Sequence, residues 1–453
     1  MNPMNYQEAW SFLDLLQFHK IKLGLDSMNH FLGALDNPQH RVPCVHIGGT
    51  NGKGSVGSTL LSILSKAGYR VGLYTSPHLS SVRERFRIND EYISQEQFAE
   101  QASRIRDILD GGQITYFEFT TTLAMLWFAE QKVDLVLLEV GMGGRLDATN
   151  VVTPLVSVIT NVSMDHEAYL GNTLREVAGE KAGIIKPSIP LVSAAGPDES
   201  REVIMNTCAQ VKAPLYLLGR DFHALAANND ENSTWTYSGI DIDNKPWELK
   251  ELPMALSGNY QLDNGAVALA VLQLLSSKNF TIKPEDIREG LQGVSWPGRL
   301  ESFYKDEQGV ISQEKPRDNK GTRHFLLDGA HNPAGVEALH DALEQSFTRN
   351  RLILVWGAMG DKNIHDTLAT IAPLAHTIIF TQPESERSAT PEHLRATLAT
   401  DLQERAICIE SVAEAIERAE SSANDEDLIC IAGSLYLVGA ARSILRGELT
   451  DDE

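Results

Sequence analysis

Positive charge is scarce in this sequence. Lys+Arg 39 against Asp+Glu 61 leaves a formal net charge of −22, a field that repels polyphosphate backbones and argues against a nucleic-acid binder lacking a local basic patch. Long apolar runs are missing as well. None approaches the ~20 residues that a bilayer span needs, and Met1 to Trp10 has no basic segment leading into an apolar one, so no secretory leader is visible. The four cysteines (Cys44, Cys208, Cys408, Cys430) are scattered, without metal-type spacing or a dense disulfide framework. No repeat with a period of about 20–50 residues is apparent. These absences point to a soluble cytoplasmic protein. What is present is ordinary globular composition, 42% hydrophobic and 22% charged, enough for a sizeable core. A length of 453 residues suggests two or three domains.

Short apolar runs alternate with longer helical stretches, the pattern of α/β architecture with a parallel sheet. Val42–Ile47 reads as a strand running into a glycine-rich turn and a helix from Ser55 to Ala67, closed by Gly68 in a left-handed cap. Val71–Tyr74, Leu135–Glu139, Ser157–Asn161 and Pro190–Ala194 are further strands. Thr234–Tyr237 and Trp247–Leu249 flank a turn-rich segment and suggest a solvent-facing hairpin. Between Pro297 and Arg323 lies the best domain boundary. Lys305–Asn319 there is polar, carries Gly309 and Pro316, and reads as a surface loop or linker. A second α/β series follows: Phe325–Asp328, a helix from Pro333, Leu352–Trp356, Thr377–Thr381 and Leu428–Ile431.

The strongest chemical signal is Gly48-Gly49-Thr50-Asn51-Gly52-Lys53-Gly54-Ser55, between a predicted strand and helix. Glycines let backbone N–H groups approach phosphate oxygens, the helix N-terminus adds partial positive charge, Lys53 adds a full one, and Ser55 suits Mg²⁺. It departs from the common G-x-x-x-x-G-K-[ST] loop by having Gly54 after the lysine and only two residues between Gly49 and Gly52. The blander reading is a tight turn, which rarely needs so many glycines beside a lysine. Glu139 ends an apolar strand and precedes Gly141-Met142-Gly143-Gly144; a carboxylate there faces the crevice where α/β sheets bind ligands, as a metal contact or as a simple turn cap. Asp165-His166 and Thr75-Ser76-Pro77-His78 follow other strands in the same manner, although a lone histidine is as often structural. Lys181, in Gly179-Glu180-Lys181-Ala182-Gly183-Ile184, reads by periodicity as a surface lysine. Asp328-Gly329-Ala330-His331-Asn332-Pro333 and Gly433-Ser434 repeat the polar strand end in the second series.

Nine segments carry a resemblance across nearly the whole length: Gly49–Ser55, Thr75–Leu79, Tyr116-Phe117-Glu118, Glu139–Asn150, Asp165-His166, Glu180–Ile185, Trp296–Glu301, Asp328–Pro333 and Gly433–Leu437. In this order the sequence resembles the folylpolyglutamate synthases, including the bacterial bifunctional dihydrofolate synthase/folylpolyglutamate synthase, relatives of the Mur ligases. The resemblance implies a P-loop ATPase-type N-terminal domain with a mostly parallel sheet, residues 1–298, and a smaller Rossmann-like α/β C-terminal domain, 299–453, that handles glutamate. It implies that Gly49, Thr50, Asn51, Gly52, Lys53, Gly54 and Ser55 bind ATP together with Asn264, Arg299 and Asp328. It implies two Mg²⁺ sites held by Ser76, Glu139 and His166, with Lys181 carbamylated to a carboxylate-like ligand. Lys53, Lys181, His166 and Arg299 become the catalytic set. The folate substrate falls near Leu23, Gly24, Tyr116, Phe117, Glu118, Leu146, Asp147 and Ala148, and the incoming glutamate near His331 and Ser434.

The activity so implied is ATP-dependent ligation of L-glutamate to dihydropteroate and to the glutamate tail of reduced folates, through an acyl phosphate. The narrower alternative is polyglutamate extension alone. Because an acyl phosphate hydrolyses in water, the two domains are expected to close over one cleft, hinged after Arg299. A cell-wall Mur ligase would need room for a further N-terminal domain, and only about 40 residues precede the first strand. A P-loop switch would not need Asp328–Pro333. Partners are the small-molecule substrates alone, with no nucleic acid or membrane, and a monomer is the default.

Overall fold

The computed structural model describes residues 2–16, 24–226, 234–240, 247–317, 320–383 and 387–447. The chain divides into two compact units: residues 1–77, 82–255 and 261–295, and residues 78–81, 256–260 and 296–453.

The first unit is built on an eight-stranded sheet. Its strands are β1 (Cys44–Gly48), β2 (Val71–Tyr74), β3 (Phe86–Ile88), β4 (Glu91–Tyr92), β5 (Leu135–Glu139), β6 (Val156–Ile159), β7 (Leu191–Ser193) and β8 (Leu215–Leu217). They lie in the order β4-β3-β2-β5-β1-β6-β7-β8. From β2 to β8 every pairing is parallel, and β3 and β4 add an antiparallel edge. Buried on both faces, β1, β5 and β6 are near-continuous apolar runs, as parallel strands between helix layers must be. One layer packs Leu13, Phe98, Phe119 and Trp127 against Val136 and Leu138. Another packs Val177, Ala178, Ile184 and Ile204 beside Ile159 and Leu191.

A three-stranded antiparallel sheet follows, with β9 (His223–Ala226), β10 (Trp235–Ser238) and β11 (Glu248–Leu252) in the order β11-β10-β9. The hairpin expected here exists, but it is not solvent-facing throughout. Trp235 and Tyr237 are buried, and Gln273 of the helix Tyr260–Ser276 accepts from both the Tyr237 hydroxyl and the Ile240 N–H. Alternation along β10 sends one face inward.

The second unit has seven strands: β12 (Glu301–Lys305), β13 (Ile311–Ser312), β14 (Arg323–Asp328), β15 (Leu352–Trp356), β16 (Thr377–Phe380), β17 (Ala406–Cys408) and β18 (Leu428–Ala432), in the order β13-β12-β14-β18-β15-β16-β17. The five from β14 to β17 are parallel. Strand β15 shows how its core divides: Leu352, Leu354 and Trp356 enter one apolar cluster and Ile353 and Val355 the other, the period of two that a sheet covered on both faces requires. The polar stretch read as a loop from Lys305 instead pairs β13 back onto β12; residues 318 and 319 lie outside the described part. Among the described residues, no helix is long and apolar enough to cross a membrane.

Candidate active site

Strand β1 stops at Gly48, and the helix Lys53–Lys66 starts after Gly52. The turn between them is possible only with glycine at two points. Gly49 has φ +137, and a Cβ there would lie 1.9 Å from Thr160 Oγ1; Gly52 has φ +85, and a Cβ would lie 2.4 Å from Asn264 Oδ1. The loop is pinned to the end of β6. Thr50 N–H donates to Asn161 O at 2.9 Å, Asn51 N–H to Asn161 Oδ1 at 2.8 Å, and Thr160 Oγ1 to Asn51 O at 2.6 Å. Thr50 Oγ1 donates to Ser163 O and accepts from Ser163 N–H, both at 3.0 Å. No side chain caps the helix N-terminus, so the amides of its first turn present their partial positive charge outward.

Lys53 turns back over this loop, its Nζ 3.2 Å from Gly49 O, 3.1 Å from Thr50 O and 4.0 Å from Glu139 Oε1. Glu139 ends β5, the immediate neighbour of β1, with Ile47 opposite it, and is only 5% exposed. Parallel register thus puts the lysine, the carboxylate and the loop at the same C-terminal edge. Asn264 joins through its own helix: its amide donates to Gln261 Oε1 at 2.9 Å, and Gln261 donates to Ser55 Oγ at 3.3 Å.

Lys181 is not on the surface. It is 3% exposed, on the helix Leu174–Ala182, where Val177, Ala178, Lys181 and Ala182 form the buried face. Burial first, and repulsion from Lys53 second, push its pKa down to about 7, while Asp165 and Asp147 pull the other way. An amine so depressed is substantially neutral near neutral pH. Ser76 is half-buried after β2, and His166 is exposed at φ +51, its Nε2 3.9 Å from Asp165 Oδ2.

The expected substrate residues divide. Tyr116 begins the helix Tyr116–Glu130, with the Arg85 guanidinium 5.2 Å from its ring centre, and Phe117 packs 6.1 Å from Tyr74. Glu118 is buried and accepts from Ser27 Oγ at 2.8 Å and Thr115 N–H at 2.9 Å, which ties the segment after Gly24 to this helix. Asp147 is buried within its own loop, accepting from Met142 N–H at 2.9 Å and Thr149 N–H at 3.0 Å, between half-buried Leu146 and buried Ala148. Leu23 lies outside the described residues.

In the second unit, Asp328 ends β14 and accepts from Leu300 N–H at 2.8 Å and Ala330 N–H at 2.9 Å. Burial raises its pKa against the opposing pull of Arg299. His331 Nδ1 is 2.8 Å from Gly329 O, so Nδ1 carries a proton and donates to that carbonyl. Ser434 is buried and caps the helix Leu435–Arg446 through Tyr436 N–H at 3.2 Å. The sequence reading passed over one polar group beside the first site: His46, fully buried in β1. Its signal was an imidazole inside an otherwise apolar strand.

The fold and these residues have counterparts. The Mur ligase middle domain family matches residues 47–272, and the Mur ligase glutamate ligase domain matches residues 314–435. The dihydrofolate synthase/folylpolyglutamate synthase of Bacillus subtilis is 34% identical over 97% of this chain and 99% of its own. The structure of E. coli FolC in complex with DHPP and ADP is similar with a TM-score of 0.84, 28% identity and 98% of each chain covered. A bifunctional folylpolyglutamate synthase/dihydrofolate synthase from Yersinia pestis, complexed with AMPPNP and Mn ion, has a TM-score of 0.83, 30% identity and the same coverage. A P-loop with Lys53 against Glu139, a buried lysine beside it, and this likeness over full length lead to one conclusion: the chain belongs to the dihydrofolate synthase/folylpolyglutamate synthase family of Mur-type ligases.

Proposed function

We propose that this chain joins L-glutamate to dihydropteroate, forming dihydrofolate, and to the tail of reduced folates, at the expense of ATP. The observation that carries the reading is the first unit's edge, where a helix N-terminus, Lys53, Glu139 and the depressed amine of Lys181 converge. A carboxylate is a poor acyl donor because its leaving group would be an oxide. Transfer of a phosphoryl group onto it makes an acyl phosphate, which the amine of glutamate then attacks, releasing phosphate. Lys53 and the first-turn amides neutralise charge on the transferred phosphoryl oxygens. Asn264 and residues 49–55 hold the nucleotide; Arg299 and Asp328, in the second unit, are the further ATP-binding residues that the family resemblance implies.

The donor set suits a hard divalent cation: the Glu139 carboxylate and the Ser76 hydroxyl supply oxygens, and such ions keep several waters, so few protein ligands are needed. Among the described residues no group of three His, Cys, Asp and Glu side chains forms a metal cluster by itself; the proposed set adds Ser76 and a carbamylated Lys181 to Glu139 and His166. When bound, Mg²⁺ supplies Lewis-acid neutralisation of the phosphates. Carbamylation needs a neutral amine, and burial of Lys181 supplies it.

Gly24, Tyr116, Phe117, Glu118, Leu146, Asp147 and Ala148 form the folate side, with Asp147 and Glu118 acting by fixing the backbone around it. His331 and Ser434 serve glutamate, within a C-terminal domain of residues 299–453. All four cysteines are free thiols, as in a reducing cytoplasm, and we take the chain to act there as a monomer. Incubation with ATP, Mg²⁺, labelled glutamate and either dihydropteroate or tetrahydrofolate, resolved by mass, tests the reading. Product from both acids supports the bifunctional enzyme, product from the folate alone reduces it to polyglutamate extension, and no amide product from either removes it.

A further inference from the structure

His46 sits in the middle of β1, paired with Leu138 on β5 and Ser157 on β6. Its neighbours Val45 and Ile47 are core residues, and the imidazole is 0% exposed. A polar ring so placed costs free energy unless it makes a hydrogen bond of some use. Burial, with a smaller push from Lys186, holds its pKa down to about 3, so the ring is neutral. Its Nε2 lies 2.8 Å from Thr149 Oγ1. The Thr149 hydroxyl is in turn 2.5 Å from Asp147 Oδ1, which also takes the Thr149 N–H at 3.0 Å, while Asp147 Oδ2 takes the Met142 N–H at 2.9 Å. Burial raises the pKa of Asp147, and the three donors that converge on its oxygens oppose that rise and favour the carboxylate, which only accepts. The Thr149 hydroxyl therefore donates to Asp147, and His46 must carry its proton on Nε2 to donate to Thr149. Nδ1, which has no hydrogen-bond partner, is left as a bare acceptor, the less costly atom to bury alone. The result is a directed relay from the strand beneath the P-loop to both ends of the loop that follows Glu139.

We infer that His46 is a positioning residue for the folate substrate: the relay His46–Thr149–Asp147 holds loop 141–149 in the conformation that presents Leu146 and Ala148. This rests on the reading of that loop as part of the folate site. His46 touches no reacting atom; it acts through Thr149 and Asp147.

The test compares His46→Leu, Thr149→Val, their double variant, and the conservative Thr149→Ser in the full-length protein. Each disruptive single variant is expected to raise the KM for dihydropteroate and tetrahydrofolate roughly fivefold, the worth of one hydrogen bond, with the KM for ATP changed by less than about twofold. The double variant should be no worse than either single one, and Thr149→Ser should restore the wild-type KM. Amide hydrogen exchange gives a readout independent of turnover: residues 142–149 should exchange faster in Thr149→Val while 44–48 stay protected. Should His46→Leu fail to fold, Thr149→Val carries both measurements. Unchanged exchange in the loop, additive effects in the double variant, or an equal rise in the KM for ATP would overturn the relay. Absence of product from wild-type protein whose loop exchange still responds would overturn the reading of the loop instead.

Discussion

Lys181 offers the sharpest quantitative consequence of the structure. An ordinary lysine with a pKa near 10.5 is neutral at pH 7 in roughly one molecule in 3,000. With its pKa pushed down to about 7, Lys181 is neutral in about half, an enrichment of the reactive amine by about three orders of magnitude. Carbon dioxide adds only to the neutral amine, so the fraction of Lys181 open to carbamylation should be about half near pH 7 and fall about tenfold per unit below it. The assay is direct: native mass spectrometry after equilibration with labelled bicarbonate across pH 5.5 to about 9, looking for one carbamate, with Lys181→Ala as the blank. The same depression has a stability signature. Between about pH 7 and the unfolded value of 10.5 the unfolded chain binds one more proton than the folded one, so this residue makes stability rise with pH through that window and gives no slope below it. Lys181→Met, which removes the titration, should flatten that part of the curve. Lys181→Ala should be inactive yet partly rescued by short carboxylates. A carbamylation midpoint near 10, or no carbamate together with normal activity of Lys181→Ala, would refute the reasoning.

Lys53→Ala should lower turnover by about 100-fold or more while thermal melting shows the fold intact; near-normal turnover would remove the P-loop lysine from the chemistry. Glu139→Gln, which deletes the carboxylate charge 4.0 Å from Lys53 Nζ, should shift the Mg²⁺ titration of activity to higher concentration, and an unchanged titration would make Glu139 a simple strand-end cap. Gly49→Ala places a Cβ 1.9 Å from Thr160 Oγ1 at φ +137, so it should cost about 1–3 kcal/mol of stability and abolish detectable ADP binding by calorimetry; retained binding would show that the loop tolerates reshaping.

Local pattern was enough for much of this chain. Val71–Tyr74 and Leu135–Glu139 are strands with the bounds expected of them, and Gly68 closes the P-loop helix at φ +87, because a short apolar run and a left-handed glycine carry their conformations within a few residues. The helix itself begins at Lys53 rather than Ser55, since Gly52 completes the turn alone and frees the next amides for the helix. Chemistry concentrated in glycine-rich strand ends was legible for the same local reason. What sequence could not decide was depth. Lys181 stands at i+4 from Val177 and i+3 from Ala178, on a face that could have met water; only the tertiary fold, which buries it and brings Lys53, Asp165 and Asp147 near it, makes it a depressed amine. Trp235 and Tyr237 point inward because a helix lies over them, and His46 has a role only because β5 and β6 bring the 141–149 loop over β1. Backbone preferences act over a few bonds, whereas desolvation and charge coupling depend on which distant segments share a neighbourhood, and that is settled only when the sheet assembles.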